Sequence, residues 1–399
     1  MRGMKQDRVA IVGSGLVCCL GAGVDSVYRR MCAGECGIRP IDRFPPEPYP
    51  QKSAGQVPAE VEARLRAEFP DDDLAGALVR EAGTEALRQA GRRAAAADPR
   101  MGLVLATNFG PMESLEWCWR ERVDVGSLDR DTFARFDQFP ARMAAALGCA
   151  GPRLQLSLSC ASGAAALALA ADLIRSGRAD RVLAVGYDLI TEFCWCGLTN
   201  LHTITTDCMR PFDLNRSGTL FSEGAAAMLL ERSGLATAPA RGLLAGVATN
   251  NNAFHMTAPP KEAEGSRQVM AAALADAGLA AAEVEHICAH ATSTKANDVT
   301  EAAAFRNLLG DRLAEVTVAA HKSQLGHLMG AAGLAEAIVT LEIIRGGVIP
   351  PTVNHLTPDP DCPVDCIRGA ARTRSVRCAI TNSAGIGGNN SSVVITAAS

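Results

Sequence analysis

Residues 154–163, Leu154-Gln155-Leu156-Ser157-Leu158-Ser159-Cys160-Ala161-Ser162-Gly163, carry an alternating apolar pattern straight into a run of alanines. The alternation is that of a half-buried strand, and the alanine run reads as a helix with almost no side-chain bulk. Any fold for this chain must accommodate that junction, which places Cys160 at the entrance of the helix. Free N–H groups and the positive end of the helix dipole favour a thiolate there, and the same groups can hold a developing oxyanion. The chain has 14 cysteines, and free cysteine is ordinarily a small buried hydrophobe. Cys160 differs in its flanks, whose small side chains leave room for a substrate. The expectation is a reactive, ionised thiol.

Two polar segments far downstream supply partners. Cys288-Ala289-His290-Ala291-Thr292-Ser293-Thr294-Lys295-Ala296-Asn297-Asp298 follows the alternating stretch Val284 to Cys288 as a loop follows a strand. His321-Lys322-Ser323-Gln324-Leu325-Gly326-His327 leads into a Gly/Ala-rich segment that starts at Gly330. The first offers an imidazole beside hydroxyls suited to a polar substrate arm, and the second offers another imidazole fixed ahead of a helix. A single histidine serves structure as readily as chemistry. One exposed-flank cysteine with two such segments is a stronger pattern.

Further motifs occur in order: Val9-Ala10-Ile11-Val12-Gly13-Ser14-Gly15, Arg210-Pro211-Phe212-Asp213 leading to Glu223-Gly224-Ala225, His255-Met256-Thr257-Ala258-Pro259, Pro350-Pro351-Thr352, and Asn382-Ser383-Ala384-Gly385-Ile386-Gly387-Gly388-Asn389. With them the chain resembles the β-ketoacyl-acyl carrier protein synthases of the elongating, Cys-His-His type, over nearly its whole length. The resemblance implies a thiolase-like α/β fold, two similar halves forming a five-layered α-β-α-β-α body. Residues 1–235 would form the half carrying the nucleophile and residues 240–399 the half carrying the two histidines. A trace of duplication is visible, since Gly163-Ala164-Ala165-Ala166-Leu167-Ala168 is similar to Gly330-Ala331-Ala332-Gly333-Leu334-Ala335.

The same resemblance implies the chemistry. Cys160 takes an acyl group from a carrier thioester, and a malonyl thioester then loses carbon dioxide to give the enolate that attacks it. Backbone N–H groups of Cys160 and Ile386 would form one oxyanion hole, and His290 and His327 the other. Lys322 and Glu336 match an ion pair beside the centre, read either as orienting or, for Lys322, as catalytic. Thr292 and Thr294 match positions that bind the pantetheine arm, while Glu223, Asp298 and Glu301 match structural or ion-linked acids. The implied partners are an acyl carrier protein, which presents substrates on phosphopantetheine, and a second subunit in a homodimer or a heterodimer with a ketosynthase-like chain. The family's usual Phe-Gly-Phe gate is replaced by Ala384-Gly385-Ile386. Two missing rings imply a wider or differently shaped tunnel mouth and an unusual acyl chain from a specialised pathway, with housekeeping fatty acid elongation, or a partner subunit of altered activity, as the alternatives.

Composition excludes other classes. Being 48% hydrophobic and 21% charged, the chain can bury a large core. Its net charge of −4 gives no reason to expect nucleic acid or an anionic membrane as a partner, and no stretch approaches the ~18 apolar residues of a membrane span. Gly13-Ser14-Gly15 interrupts the first apolar run, which reads as strand, turn and helix rather than as a signal peptide, and it lacks the third glycine of a dinucleotide fingerprint. Cys32 with Cys36, and Cys362 with Cys366, have no partner pairs at zinc-finger spacing. No metal and no permanently bound cofactor is expected, and so many unpaired thiols point to a reducing cytoplasm. Aromatics are 4% of the chain, yet Trp117, Trp119, Phe133, Phe136 and Phe139 fall together, either as a cap on the core or as a dimer contact or pocket wall.

Overall fold

The computed structural model describes residues 9–94, 96–124, 137–236, 238–256, 258–260 and 262–398. The first half contributes strands β1 (Val9–Cys18), β2 (Met101–Ala106), β3 (Arg153–Leu156), β4 (Arg181–Asp188) and β5 (Gly224–Arg232). The second contributes β6 (Gly242–Asn251), β7 (His286–Cys288), β8 (Thr317–Ala319), β9 (Cys378–Gly385) and β10 (Asn389–Thr396). The spatial order is β3-β2-β4-β5-β1 in one half and β8-β7-β9-β10-β6 in the other. Counted along each half, both read third, second, fourth, fifth, first. Their directions also agree: the first two pairings of each series are parallel and the last two antiparallel. The two series join where Val9, Ala10 and Ile11 pair with Leu244, Leu243 and Gly242.

The helices repeat the same plan. Helix α1 (Leu74–Gln89) covers the outer face of the first sheet, and helix α2 (Ser162–Arg175) follows β3. In the second half, α3 (Glu264–Ala277) and α4 (Lys295–Leu309) pack on the outer face, and α5 (Ala332–Gly346) follows β8. Helices α2 and α5 lie against each other, and each also touches both sheets. They form the middle of the five layers, with one hydrophobic core around them and a further core under each outer layer. This is the thiolase-like arrangement that the resemblance implies.

Alanine and glycine make the middle layer thin. A Cβ at Gly163 would stand 2.7 Å from the Leu334 nitrogen, and one at Gly333 would stand 2.6 Å from the Ala164 nitrogen. Both lie below any van der Waals separation, so the first turns of α2 and α5 meet backbone to backbone. Neither helix has a capping side chain at its N-terminus. Their first N–H groups are left for the loops in front of them.

Two local expectations are corrected. Gly13-Ser14-Gly15 does not break the first apolar run: β1 continues through it with a bulge between Ile11 and Gly13, because the backbone of α1 lies directly on it. Phe139 is fully buried and stacks on Tyr187 at 4.9 Å, so it belongs to the core, whereas Trp117 and Trp119 are exposed. Phe133 and Phe136 lie outside the described residues. All 14 cysteines are free. Among the described residues no helix is long and apolar enough to cross a membrane.

Candidate active site

Cys160 stands in the link between β3 and α2. Ser159, at φ 52°, takes a left-handed conformation that few side chains adopt. Ser162 Oγ clamps this turn, accepting from the Leu158 N–H at 2.7 Å and donating to the Ser159 carbonyl at 2.6 Å. The end of β9 closes over it, and Gly385 is required there, since a Cβ would stand 2.9 Å from the Leu158 oxygen and 3.1 Å from the Cys160 nitrogen. That approach brings the Ile386 N–H, together with the N–H of Cys160, near enough to the sulfur to favour its thiolate.

His290 and His327 complete the centre. A sulfur or ring nitrogen from each of Cys160, His290 and His327 lies within 4.8 Å of the others, and the two imidazoles meet edge to face with centroids 5.4 Å apart. Both rings are held at Nδ1. The Met329 N–H donates to His327 Nδ1 at 3.1 Å, and Lys322 Nζ lies 3.2 Å from His290 Nδ1. An ammonium can only donate, so each ring carries its proton on Nε2. His327 Nε2 is buried without a partner among the described residues, and both histidines line the same cavity. Burial, followed by the Lys322 charge, drives both imidazole pKa values well below the usual range, and His327 adds to the effect on His290. The rings are therefore neutral donors at neutral pH. The same three donors could grip a soft divalent cation, against the charge of Lys322.

Lys322 is ion-paired with Glu336, both side chains being buried. Burial pushes the Glu336 carboxyl up, to about 7, against the pull of Lys322. Glu301 accepts from the His290 and Ala291 N–H groups, both at 2.7 Å, and from Asn382 at 2.9 Å. Asp298 accepts from the Phe212 N–H at 2.9 Å and the Ser293 N–H at 3.1 Å. These acids hold the His290 loop, in which Ala291 and Ser293 both have positive φ. Glu223 lies away from the cavity, paired with Arg43 and accepting from the N–H groups of Val57 and Ile190, both at 2.9 Å.

The cavity, of about 520 Å³, has Cys160, His290 and His327 in its wall. Thr292, Thr294, Ala384 and Ile386 line it as well, and the two threonine hydroxyls lie 3.0 Å apart. Of the expected residues, Glu301 also lines this opening, whereas Lys322, Glu336, Asp298 and Glu223 are not in its wall: Lys322 and Glu336 stand behind His290, Asp298 holds the His290 loop, and Glu223 lies apart. Sequence reasoning missed Phe221, whose ring stacks on His327 at 5.5 Å, although it lies between motifs already singled out. It also missed Asn382 as a tether and Asp188, buried close to the nucleophile.

Burial works against the expected ionised thiol. Burial pushes the Cys160 thiol up to about 11, and Asp188 adds to the rise, while Lys322 and the N–H groups of Ile386 and Cys160 pull it down. Desolvation of the thiolate outweighs the donors, so the resting sulfur is protonated. Alkylation of Cys160 by iodoacetamide should then rise about tenfold per pH unit from pH 7 to 10, because only the thiolate reacts. A plateau reached below pH 8, read by mass spectrometry of the Cys160 peptide, would contradict this.

The nucleophile turn, the fixed imidazoles and the five layers define a condensing enzyme of the thiolase type. The family model described as "Beta-ketoacyl synthase, N-terminal domain" matches residues 6–236, and "Beta-ketoacyl synthase, C-terminal domain" matches residues 241–356. The chain belongs to the β-ketoacyl synthase family. It is 35% identical to Nodulation protein E of Rhizobium meliloti (strain 1021), over 96% of this chain and 97% of that one. It is 30% identical to 3-oxoacyl-[acyl-carrier-protein] synthase 2 of Staphylococcus aureus (strain COL), over 98% of each. Among solved structures, the ishigamide ketosynthase/chain length factor superposes with a TM-score of 0.89 at 32% identity, over 99% of this chain and 100% of that chain.

Proposed function

We propose that this β-ketoacyl synthase extends an acyl group held on Cys160 with a malonyl unit delivered by an acyl carrier protein, in a specialised polyketide or unusual fatty acid pathway. The observation that carries the reading is the pair of neutral imidazoles presenting Nε2 to the cavity that contains Cys160. In the first step Cys160 Sγ bonds to the thioester carbonyl carbon and gives up its proton, while the carrier leaves as a free thiol. The N–H groups of Cys160 and Ile386 hold the tetrahedral oxyanion. In the second, malonyl thioester binds with its carbonyl oxygen between His290 and His327 and loses carbon dioxide. The enolate carbon attacks the acyl carbonyl, and Cys160 leaves and regains a proton.

Each supporting residue has a matching part. Lys322, paired with Glu336, fixes the His290 tautomer rather than reacting itself. Glu301 and Asp298 hold the His290 loop, Glu223 ties together segments behind the site, and Thr292 and Thr294 receive the pantetheine arm. Residues 1–235 carry the nucleophile and residues 240–399 the imidazoles. A carrier protein and a second subunit, identical or ketosynthase-like, are the partners, with Trp117 and Trp119 available to a contact. The reducing cytoplasm suits 14 free thiols.

Intact mass spectrometry with a panel of acyl carrier thioesters tests the reading: a mass gain of one acyl group, lost in Cys160→Ala, is the expected result, and no gain with any thioester would refute it. The gate gives a sharper outcome. Ala384 and Ile386 line the cavity at the positions where the family's gate carries rings, so Ala384→Phe should lower acylation by long or rigid unsaturated chains about tenfold while changing acetyl transfer little. Equal effects on both would remove Ala384 from substrate selection.

A further inference from the structure

Asp188, the last residue of β4, is fully buried and takes no part in the two steps of condensation. Its carboxylate nevertheless collects donors from both halves of the molecule. Oδ1 accepts from Thr107 Oγ1 at 2.8 Å and from the Phe109 N–H at 2.9 Å, and both oxygens lie 3.0 Å from the Asn108 nitrogen. From the second half, the Gly330 N–H donates to Oδ2 at 2.7 Å.

Gly330 directly follows Met329, whose N–H sets the tautomer of His327. Met329 has φ 52°, a left-handed conformation that disfavours a side chain and persists only where neighbours hold it. The peptide after it is held by Asp188, and Phe221 packs on the His327 ring from the other side. On the first-half side the same carboxylate fixes Asn108 and Phe109, which line the cavity together with Met329.

Resting on the proposed role of His327 as an oxyanion donor, we infer that Asp188 is a positioning residue for the decarboxylating half of the reaction: it holds the Met329–Gly330 turn so that Met329 keeps His327 with its proton on Nε2. It touches no substrate. Its carboxylate spans the two halves and acts on the malonyl step through one peptide. Burial raises its carboxyl to about 6, and ionisation is retained because five donor contacts replace water. The Cys160 turn is clamped chiefly by Ser162 through Leu158 and Ser159; the contact of Ser162 Oγ with Asn108 is longer, at 3.4 Å, and loss of the Asp188 charge favours the thiolate, so acyl transfer to the sulfur should largely survive loss of this anchor.

The test separates two half-reactions of the full chain. Asp188→Asn keeps the shape but returns an N–H₂ to donors that need an acceptor. Its acyl-enzyme formation, followed by intact mass, should stay within about threefold of the parent, while condensation with malonyl carrier thioester falls about a hundredfold, the scale of one lost oxyanion donor. Thr107→Val, which removes one donor and leaves the carboxylate, should show the same selectivity with a fall of about fivefold, the equivalent of one modest hydrogen bond, and it stands in if Asp188→Asn does not fold. Equal losses in both half-reactions, or no loss in either, overturn the proposal. His327→Ala distinguishes a failure at the imidazole from a failure at its anchor: if it condenses normally, the role of His327 falls and that of Asp188 with it. If it is inactive in condensation while Asp188→Asn is not, only the role of Asp188 falls.

Discussion

Cys160→Ala will form no acyl-enzyme and will lose condensation by about 10⁴-fold or more, the scale on which nucleophile deletions act, yet it will still release carbon dioxide from malonyl carrier thioester. The separation arises from how the imidazoles are held. His327 is fixed by the Met329 N–H and His290 by Lys322, and neither support passes through the sulfur. An enolate formed in this variant meets no acyl group and takes a proton instead. The measurement pairs carbon dioxide release with product mass, and a variant that loses both activities alike would show that the sulfur organises the malonyl site as well.

Lys322→Met is the second large effect, and it divides stability from chemistry. Removing the ammonium leaves the buried Glu336 carboxyl without its cation, and breaking a buried pair costs about 3–5 kcal/mol. The lower end is expected, because Glu336 is already pushed up to about 7 and will take a proton rather than stay charged. His290 also loses the donor to its Nδ1, so its proton is free to move there and Nε2 stops being a dependable donor. Condensation should fall at least about a hundredfold. The double variant Lys322→Met with Glu336→Leu should recover most of the melting temperature and none of the condensation. Recovery of both would reduce the pair to packing, and recovery of neither would mean that the cation itself is needed at the centre.

Much of this was legible in the chain. The alternating stretch into Cys160 and the polar segments around His290 and His327 are local signals, and each side chain stands where its own segment places it. The ionisation of Cys160 was not local. It depends on burial by both halves, and on Lys322, Asp188 and the Ile386 N–H, which come from positions remote in sequence. A helix entrance alone suggested the opposite sign. Asp188 ends an otherwise apolar strand, and nothing in Arg181 to Asp188 reveals that donors from Thr107 and Gly330 converge on it. Gly13-Ser14-Gly15 reads as a turn until α1 lies across it, and Phe139 reads with its aromatic neighbours until it is seen against Tyr187.

Because α2 and α5 abut at Gly163 and Gly333 with no capping side chain on either first turn, two positive poles, each worth roughly half an elementary charge, meet just after the segments that carry Cys160 and His327, with the Asp188 carboxylate opposing them at Gly330. Attraction for a carboxylate, and afterwards for the enolate it becomes, is therefore built into the peptide backbone and does not titrate. A side chain at either glycine would wedge these poles apart and weaken the field without altering one functional group.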